Sequence, residues 1–264
     1  MDKNKLYEFD ARNATNACVR WIYDWFHENG KGCNAVVGIS GGKDSTVVAA
    51  LCARALGPEH VMGVMLPNGI QPDINDSKEA INFLCINGIE MDISPVIGTM
   101  KSAMTALATE RRIYTGMLPE LTRQAEENLP PRIRMSALYM VAQSCNGRVS
   151  NNCNYSENWI GYSTIYGDTA GDFSPISCFT VGEVIEIGRQ LGIPEHLLIK
   201  PPADGLCGKT DEDNLGFTYA VLDRYLRTGE IDDLKIKKMI DMRHEKNKFK
   251  HMPMAAFRWD AQAA

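Results

Sequence analysis

The sequence predicts an α/β protein with a Rossmann-like parallel sheet and helices on both faces of that sheet. Short apolar runs typical of buried strands, at 35–39, 61–66 and 89–93, alternate with amphipathic helical patterns. A glycine- or proline-containing turn follows each of the first two runs, and Pro95 follows the third. This strand–helix–strand–helix order at short spacing is typical of parallel strands joined by crossover helices.

The first part of the chain supplies most of this pattern. Trp21 and Trp25 are spaced i, i+4 in the first helix, and Gly57-Pro58 ends the second. The segment from Asp76 to Glu79 has the form of a capping box. The predicted elements are a helix over 15–27, a strand over 35–39, a helix over 46–56, a strand over 61–66, a helix from 76 to about 87, a strand over 89–93 and a helix start at Pro95.

The second part is predicted to be mainly helical. The expected elements are helical structure over 98–145, a strand over 149–151, a helix over 180–191, an aperiodic loop over 200–214, and helices over 215–226 and 234–244. A loop of that length in a compact protein is typically a functional lid or a disordered segment. We expect one domain over 1–264, with a helical, basic extension from about 215 to 264.

Composition argues against several classes of protein. The chain has 264 residues, with 28 lysines and arginines against 33 aspartates and glutamates, for a net charge of −5. A general nucleic-acid coat would need a basic excess. No secretory signal is apparent, and no stretch approaches the ~20 apolar residues that span a bilayer. We therefore expect a cytoplasmic protein with no membrane and no nucleic-acid partner.

Two compositional features could suggest special chemistry. The eight cysteines show no two-residue gap of the kind found in zinc knuckles or redox pairs, so we interpret them as small core hydrophobes in a reducing compartment. Residues 235–251 carry seven lysines and arginines against Asp241 and Glu245, which gives 7 − 2 = +5. That segment is either a solvated helix face or a docking site for a polyanion such as phosphate.

The segment from Gly38 to Ser45, Gly-Ile-Ser-Gly-Gly-Lys-Asp-Ser, lies between a predicted strand and a predicted helix. Adjacent glycines let a backbone approach an anion closely, and the following helix N-terminus offers free N–H groups. Asp44 would repel a phosphate unless Mg²⁺ lies between them, because this ion binds carboxylate and phosphate oxygens together. The spacing differs from that of a Walker A loop. The segment therefore predicts a nucleotide-phosphate site of another type.

The run from Ser40 to Ser45 resembles the signature loop of the ATP pyrophosphatase superfamily. The segments 66–73, 128–135 and 202–206, and the positions around 154–172 and 211–216, are similar in order and spacing to those of NAD synthetases. The resemblance extends over roughly residues 14–260. It implies a fold like that of the adenine-nucleotide α-hydrolases and a ligase that forms a carbon–nitrogen bond, converting deamido-NAD, ATP and ammonia to NAD, AMP and pyrophosphate through an acyl-adenylate.

The resemblance also implies roles for particular residues. Asp44 and Glu157 would be the catalytic, Mg²⁺-binding carboxylates. The implied ATP-binding residues are Gly38, Ile39, Ser40, Gly41, Gly42, Lys43, Asp44, Ser45, Asn152 and Lys200. The implied deamido-NAD-binding residues are Arg132, Asp168, Asp172, Lys248 and Lys250. From the residues alone, Asp168 and Asp172 could instead cap turns, and Arg132 could be a surface arginine.

This chain departs from the family pattern at positions where cations are common, with Val181 and Ile165 in their place. Lys200, Lys209 and the basic residues Lys248, Lys250 and His251 are candidates to replace those cations. The match fills the chain without an amidase domain. The expected nitrogen donor is therefore free ammonia or ammonia from a separate partner amidase.

The resemblance further implies a homodimer formed largely by the N-terminal helices. Two other functions remain open from the sequence. One is a tRNA-modifying ATP pyrophosphatase, which would need a cysteine pair or a basic RNA-binding surface. The other is a nucleotide-binding regulator without catalysis, which the residues at 165 and 181 suggest.

Overall fold

The structure, a computed structural model, describes residues 8–109, 121–200, 211–257 and 259. The elements are α1 (Ala11–Asn29), β1 (Asn34–Gly38), α2 (Lys43–Leu56), β2 (Val61–Met65), α3 (Ile74–Leu84), β3 (Asn87–Glu90), α4 (Ser94–Thr109), α5 (Arg123–Ser144), β4 (Gly147–Val149), α6 (Tyr155–Ile160), α7 (Val181–Gln190), α8 (Glu195–Ile199), α9 (Asp211–Leu215), α10 (Tyr219–Thr228) and α11 (Leu234–Asn247). Short 3₁₀ turns lie at Pro58–His60 and Lys248–His251.

The sheet contains four parallel strands in the order β3-β2-β1-β4. The chain runs outward from β1 to β2 and β3, then returns to place β4 on the other side of β1. A topological switch point therefore lies between β1 and β4. In open parallel sheets, ligands bind beyond the carboxyl ends of the strands at such a point. The chain leaving β1 at this point is the Gly38–Ser45 segment.

Alternating side chains of β1 enter cores on opposite faces of the sheet. Ala35 and Val37 belong to one cluster, which also contains residues of α1, α2, α7 and α8. Val36 belongs to a second cluster, which contains residues of α4 and α5. Because successive side chains of a strand point to opposite faces, a strand covered on both sides is apolar throughout. The prediction of a parallel sheet with helices on both faces is confirmed.

Most predicted elements occur, with shifted boundaries. The first helix is longer than 15–27, β3 begins before the predicted 89, and β4 ends at Val149, before most of the predicted 149–151. Residues 211–215 form α9, so the predicted loop is wrong there, and residues 201–210 lie outside the described part. The helix predicted from 215 is divided between the end of α9 and α10, which begins at Tyr219.

The capping box predicted at Asp76 is wrong. Helix α3 begins at Ile74, with Asp73 at the N-cap, so Asp76 lies within the first turn. Lys200 Nζ instead donates to both carboxylates, 2.6 Å from Asp73 Oδ2 and 2.5 Å from Asp76 Oδ2. The Asp76 carboxylate, which the local sequence assigned to the helix cap, therefore accepts a hydrogen bond from Lys200, a residue more than a hundred positions away.

The cysteine prediction is confirmed only in part. Of the cysteines that the structure describes, all are free; Cys18, Cys33, Cys52 and Cys153 are buried, whereas Cys85 and Cys178 are exposed. Cys85 lies at the end of α3 with φ of +53°, and Cys207 lies outside the described part. None of the described helices has the length and apolar character needed to cross a membrane.

Candidate active site

The loop from Gly38 to Ser45 connects the carboxyl end of β1 to the N-terminus of α2. Gly41 has φ of +77°, which is unfavourable for a residue with a side chain. A Cβ there would also lie 2.9 Å from Ser77 N of α3. Gly41 is therefore required both by its backbone conformation and by the close approach of α3. The loop can turn sharply over α3 and leave the α2 N-terminus facing the switch point.

Serine hydroxyls fix the shape of this loop. Ser45 Oγ accepts from Ser40 N at 3.2 Å and lies 3.2 Å from Ser40 Oγ. Gly42, the N-cap of α2, offers no side chain to cap the helix, and its N–H donates to Ser40 Oγ at 3.3 Å. The N-terminus of α2 therefore has no side-chain cap, as expected for a helix end that receives an anion.

Asp44, in the first turn of α2, joins this loop to the segment that follows β4. Lys43 Nζ donates to Asp44 Oδ2 at 2.8 Å, and Asn154 Nδ2 donates to Asp44 Oδ1 at 3.1 Å. Asn154 is also the N-cap of α6, where it forms a reciprocal capping box with Glu157. Asn154 therefore orients both carboxylates that the sequence assigns to the metal, Asp44 through its side-chain amide and Glu157 through its backbone N–H.

The electrostatics of this cluster are those of crowded, buried carboxylates. Burial, and then repulsion by Asp44, raise the pKa of the Glu157 carboxyl well above its usual range, with Asp211 adding to the effect. Burial opposes the charge on Lys43, but Asp44, Glu157 and Asp211 together hold the pKa of its ammonium above the usual 10.5. We call Asp44, Glu157 and Asp211 the carboxylate cluster. A further positive charge near it would lower its energy.

The carboxylate cluster fits a magnesium ion that arrives with a nucleotide. Within the described ranges, no group of three or more histidine, cysteine, aspartate or glutamate side chains is arranged to hold a metal by itself. Mg²⁺ commonly takes one or two protein carboxylates and fills its remaining positions with phosphate oxygens and water. Asp44 and Glu157 match that donor set, with Asn154 between them.

In the structure, Asn152 contacts the phosphate loop, whereas Lys200 contacts two carboxylates at the start of α3. Asn152 Nδ2 donates to Gly38 O at 3.1 Å, and its Oδ1 accepts from Ser150 Oγ at 2.8 Å. Lys200 is paired with Asp73 and Asp76 at the start of α3, beside Gly41. Its predicted contact with ATP stays a prediction, since two of its three N–H donors are used by these carboxylates.

Of the predicted substrate residues, Asp168 and Asp172 lie on the segment after α6, Arg132 of α5 contacts that segment, and each of the three has a partner within the chain. Arg132 Nε donates to Ile165 O at 3.2 Å. Asp168 Oδ2 accepts from Thr164 N at 2.9 Å. Asp172 Oδ2 accepts from Val149 N of β4 at 2.7 Å, and its Oδ1 accepts from Tyr139 Oη at 3.3 Å. Their roles toward deamido-NAD stay predictions.

The two predicted lysines of the C-terminal extension differ in environment. Lys248 is exposed and pairs with Glu245 at 2.5 Å. Lys250 Nζ donates to the carbonyls of Gly161 and Ser163 at 2.8 and 2.9 Å, and burial lowers the pKa of its ammonium. Val181, where a cation was expected, is buried at the start of α7. Lys250 is thus the tail cation that reaches the substrate segment.

A depression of about 510 Å³ lies beside this segment. Trp25 stacks on Phe173 in its wall, with ring centroids 5.1 Å apart and planes inclined by 30°. Asp172, with an exposed Trp21 and His251, also lines it. Aromatic faces beside a few polar groups suit a flat nitrogen heterocycle, and the volume is in the usual range for a ligand pocket.

Sequence reasoning assigned no role to two buried residues of this site, Asp211 of the carboxylate cluster and Tyr219, which lies close to it. Asp211 was interpreted as part of an aperiodic loop, but it is buried at the start of α9, where Tyr162 Oη donates to it at 3.2 Å. Tyr219, at the start of α10, is buried close to the same carboxylates. The Asn154-x-x-Glu157 capping pattern could have located α6 correctly. No local pattern marks Tyr219, since a tyrosine in an amphipathic helix indicates only core packing.

A parallel sheet whose first strand ends in this loop, beside buried carboxylates at the switch point, defines a nucleotide-binding enzyme with the fold of the adenine-nucleotide α-hydrolases. The NAD synthase family profile matches residues 14–257, and the chain belongs to that family. It is 36% identical to an NH(3)-dependent NAD(+) synthetase of Methanococcus aeolicus over 223 residues, and this alignment covers 82% of each chain.

Solved structures support this assignment. The structure is similar to the NMN synthetase from Francisella tularensis, with a TM-score of 0.81 and 29% identity over 96% of this chain and 100% of that one. It is also similar to the NH3-dependent NAD synthetase of Campylobacter jejuni in complex with nitrate, with a TM-score of 0.70 and 27% identity over 95% and 100%. The predictions of the family, the fold class and an ATP-using carbon–nitrogen ligase of the ammonia-dependent NAD synthetase type are confirmed.

Proposed function

We propose that this chain amidates the nicotinate carboxylate of deamido-NAD with ammonia, and that it drives the reaction by splitting ATP into AMP and pyrophosphate. The family match over residues 14–257, with Asp44 and Glu157 beside the phosphate loop, supports this reaction. The alternative of a tRNA-modifying enzyme loses its basis, because that match includes nearly the whole chain. The buried Asp44, Asn154 and Glu157 arrangement favours catalysis over a purely regulatory role.

The chemistry requires activation of the acid. A carboxylate is resonance-stabilised and has no leaving group that ammonia can displace. Its oxygen therefore attacks the α-phosphorus of ATP, the bond to the bridging oxygen breaks, and pyrophosphate leaves. Ammonia then adds to the acyl carbon and loses a proton, and AMP leaves with the original carboxylate oxygen. The Gly38–Ser45 loop holds the phosphates in line for the first step through its backbone and serine hydroxyls.

Asp44 and Glu157 would hold a Mg²⁺ ion bound to ATP, with Asn154 orienting both carboxylates. When bound there, the ion would neutralise charge on the leaving pyrophosphate. Lys43 lies beside Asp44 and supplies a second, fixed positive charge. The carboxylate cluster repels free ATP, so the protein selects the magnesium complex over the bare nucleotide.

The depression beside α1 is the proposed site for part of deamido-NAD. The exposed Trp21 offers a stacking face, the Trp25–Phe173 stack supports the wall, and Asp172 and His251 offer polar contacts. Asn151 also lines it, and this residue precedes Asn152, which contacts the phosphate loop. The dinucleotide can therefore extend from the depression toward ATP along the carboxyl end of β4.

The proposed working form is a cytoplasmic homodimer that uses free ammonia, or ammonia from a separate amidase. Trp21 of α1 is 44% exposed, which leaves a large ring uncovered in the wall of the substrate depression. A second copy packed on α1 would cover this ring and close that side of the site. Sedimentation of the purified chain, and of Trp21→Glu, tests this arrangement, with a dimer expected for the first and a monomer for the second.

Nicotinate mononucleotide is a second candidate substrate, favoured by the similarity to an NMN synthetase at a TM-score of 0.81. The cations expected at 165 and 181 are absent, and fewer cations suit a substrate with one phosphate rather than two. Its amidation would use the same adenylation chemistry. The two acids differ in the AMP half, so the comparison of their kcat/KM values decides between them.

The deciding experiment supplies ATP, Mg²⁺ and ammonium with either acid, and separates the products by chromatography. We expect NAD and AMP in equal amounts from deamido-NAD, at a kcat/KM above that for nicotinate mononucleotide. A higher kcat/KM for nicotinate mononucleotide would show that this acid, rather than deamido-NAD, is the preferred substrate. Formation of ADP, or of no amide from either acid at high ammonium, would contradict it. Glutamine in place of ammonium should give no product with the purified chain.

A further inference from the structure

Tyr219 carries a buried hydroxyl that has no partner in the described part of the chain. The residue is 5% exposed, and its Oη makes no hydrogen bond. Its ring packs in an apolar cluster that includes Leu215, Phe217 and Ile160. A buried hydroxyl without a hydrogen bond costs free energy, so native proteins rarely keep one without a reason.

Packing places Tyr219 near the carboxylate cluster. Its apolar cluster includes Ile160 of α6 and Tyr162, and Tyr162 Oη donates to Asp211 at 3.2 Å. Burial, and then the charges of Glu157, Asp211 and Asp44, raise the pKa of the Tyr219 hydroxyl far above its usual range. Among the described residues, none of these carboxylates accepts a hydrogen bond from the hydroxyl.

The protein backbone fixes the start of α10, so Tyr219 cannot move far to find a partner. Thr218 caps α10, and Tyr219 N donates to Glu212 Oε1 at 2.8 Å. One turn later, Asp223 accepts from Ser156 Oγ of α6 and from Gly182 N of α7. The contacts of α10 with α6 and α7 thus position the ring beside the cluster.

Three other buried side-chain atoms of the described residues also lack partners, namely Ser77 Oγ, Trp159 Nε1 and Ser163 Oγ. Tyr219 differs from them because the carboxylates near it indicate which ligand could be its hydrogen-bond partner. Two of its three neighbouring carboxylates, Asp44 and Glu157, are the ones that fit magnesium. A hydrated Mg²⁺ with a triphosphate would bring water and phosphate oxygens into the same space.

We propose that Tyr219 is a binding residue for magnesium–ATP, and that its hydroxyl takes its missing hydrogen-bond partner from a water or phosphate oxygen of that complex. This assignment rests on the proposed ATP-dependent function. It explains why a polar atom is kept unpaired next to charged groups. The free protein carries the cost of the unpaired hydroxyl, and binding removes that cost.

The test compares Tyr219→Phe with Tyr225→Phe, a matched change on the same helix. Tyr225 Oη donates to Asp241 Oδ1 at 2.8 Å, so its hydroxyl already has a partner. Tyr219→Phe should leave the melting temperature of the free protein unchanged or raise it, because an unpaired group is removed. Tyr225→Phe should lower that temperature, because a formed hydrogen bond is lost.

For ligand binding the order of the two variants should reverse: Tyr219→Phe should be impaired and Tyr225→Phe should not. We expect Tyr219→Phe to weaken magnesium–ATP binding about tenfold, the loss of one hydrogen bond to a charged ligand, and to reduce the ligand-induced rise in melting temperature. The magnesium concentration for half-maximal activity should rise, with the KM for the acid substrate unchanged. Tyr225→Phe should bind magnesium–ATP as the wild type does.

Wild-type affinity for magnesium–ATP in Tyr219→Phe would overturn the assignment, as would a lowered melting temperature of its free form. Calorimetry on the wild type separates this failure from a failure of the proposed function. A wild type that binds no magnesium–ATP contradicts the proposed function itself, and this assignment with it. A wild type that binds and turns over, beside an unaffected Tyr219→Phe, contradicts the assignment alone.

Discussion

Two buried charged regions of this protein differ in how their charges are partnered among the described residues. Glu183 of α7 is 5% exposed and accepts from Arg227 Nε at 2.7 Å and from Thr180 N at 2.9 Å. Arg227 also donates to Cys178 O at 2.7 Å. The carboxylate cluster, in contrast, has Lys43 as its basic partner and a tyrosine hydroxyl without a hydrogen bond beside it.

This difference distinguishes a structural region from a binding region. In the Glu183–Arg227 network, each charge meets its counterpart within the chain, so the network fixes α10 against α7. In the carboxylate cluster, Asp44 is held by Lys43 and Asn154, and under the proposed function the cluster also receives the magnesium ion that accompanies ATP. The following substitutions should separate the two regions, one through activity and the other through stability.

Asp44→Asn should have the largest effect, on activity. It removes a carboxylate that fits Mg²⁺ but keeps a side chain that can contact Asn154. We expect the rate of NAD formation to fall about 10³-fold. The melting temperature should stay the same or rise, because repulsion of Glu157 is relieved. Asp241→Asn, whose side chain accepts from Lys237 and Tyr225 outside the cluster, should lower stability and leave the rate unchanged.

Arg227→Met, in contrast to Asp44→Asn, should lower stability and leave activity nearly unchanged. It leaves the Glu183 carboxylate buried without its cation, which should cost about 3 kcal/mol of unfolding free energy. Urea unfolding followed by circular dichroism measures this loss. Arg227→Met combined with Glu183→Met should recover much of it, because no unpaired charge remains. Activity per folded molecule should stay near that of the wild type, and a 10³-fold loss would place this pair in the site.

Gly41→Ala tests the close contact of the phosphate loop with α3. The new Cβ would lie 2.9 Å from Ser77 N at φ of +77°, so we expect a loss of about 2 kcal/mol in stability and a raised KM for ATP. Gly32→Ala is the control, since Gly32 has φ of +73° and no atom within 4 Å of a Cβ. It should lose about 1 kcal/mol from backbone strain and leave the KM unchanged.

Lys200→Met should have the smallest effect, and one that depends on pH. Partial burial opposes the charge on Asp73, but the hydrogen bond from Lys200 lowers the pKa of this carboxyl below its usual 3.8. A lowered pKa stabilises the fold above 3.8 and stops doing so as the pH falls through the folded value. The variant should therefore lose about 1 kcal/mol at neutral pH, and the deficit should shrink in melting curves recorded below pH ~3.8.

Lys78→Met is the control for this pair. Lys78 and Glu90 are 45% and 42% exposed, so their ion pair is better screened by water than that of Lys200. Its removal should change the melting temperature less than Lys200→Met at neutral pH. An equal deficit for Lys200→Met at neutral and acid pH would contradict the role given to Asp73 and Asp76.

The sequence was sufficient for the parts of this protein that rest on local patterns. The apolar run of β1 and the glycine–serine turn after it predict a strand that ends in an anion-binding loop, and the structure has that connection. Asp76 shows the limit of such patterns. Its position fits a helix cap, but α3 begins a turn earlier and Lys200, distant in sequence, takes the carboxylate.

The residues that the sequence could not supply are those defined by tertiary contact. Asp211 belongs to the carboxylate cluster, and Tyr219 lies beside it, because α9 and α10 pack beside α6. The resemblance placed Lys250 among the substrate-binding residues, but its contacts with two carbonyls of the substrate segment appear only in the structure. Such positions follow from the packing of helices, which a single sequence does not specify.

The proposed function requires that the carboxylate cluster receive the cation that accompanies ATP. The most direct test is the affinity of the wild-type protein for ATP, measured by calorimetry with Mg²⁺ and again with a chelator. We predict that ATP binds at least about tenfold more weakly without the metal, because Asp44, Glu157 and Asp211 then repel the phosphates. Equal affinities under the two conditions would contradict the account.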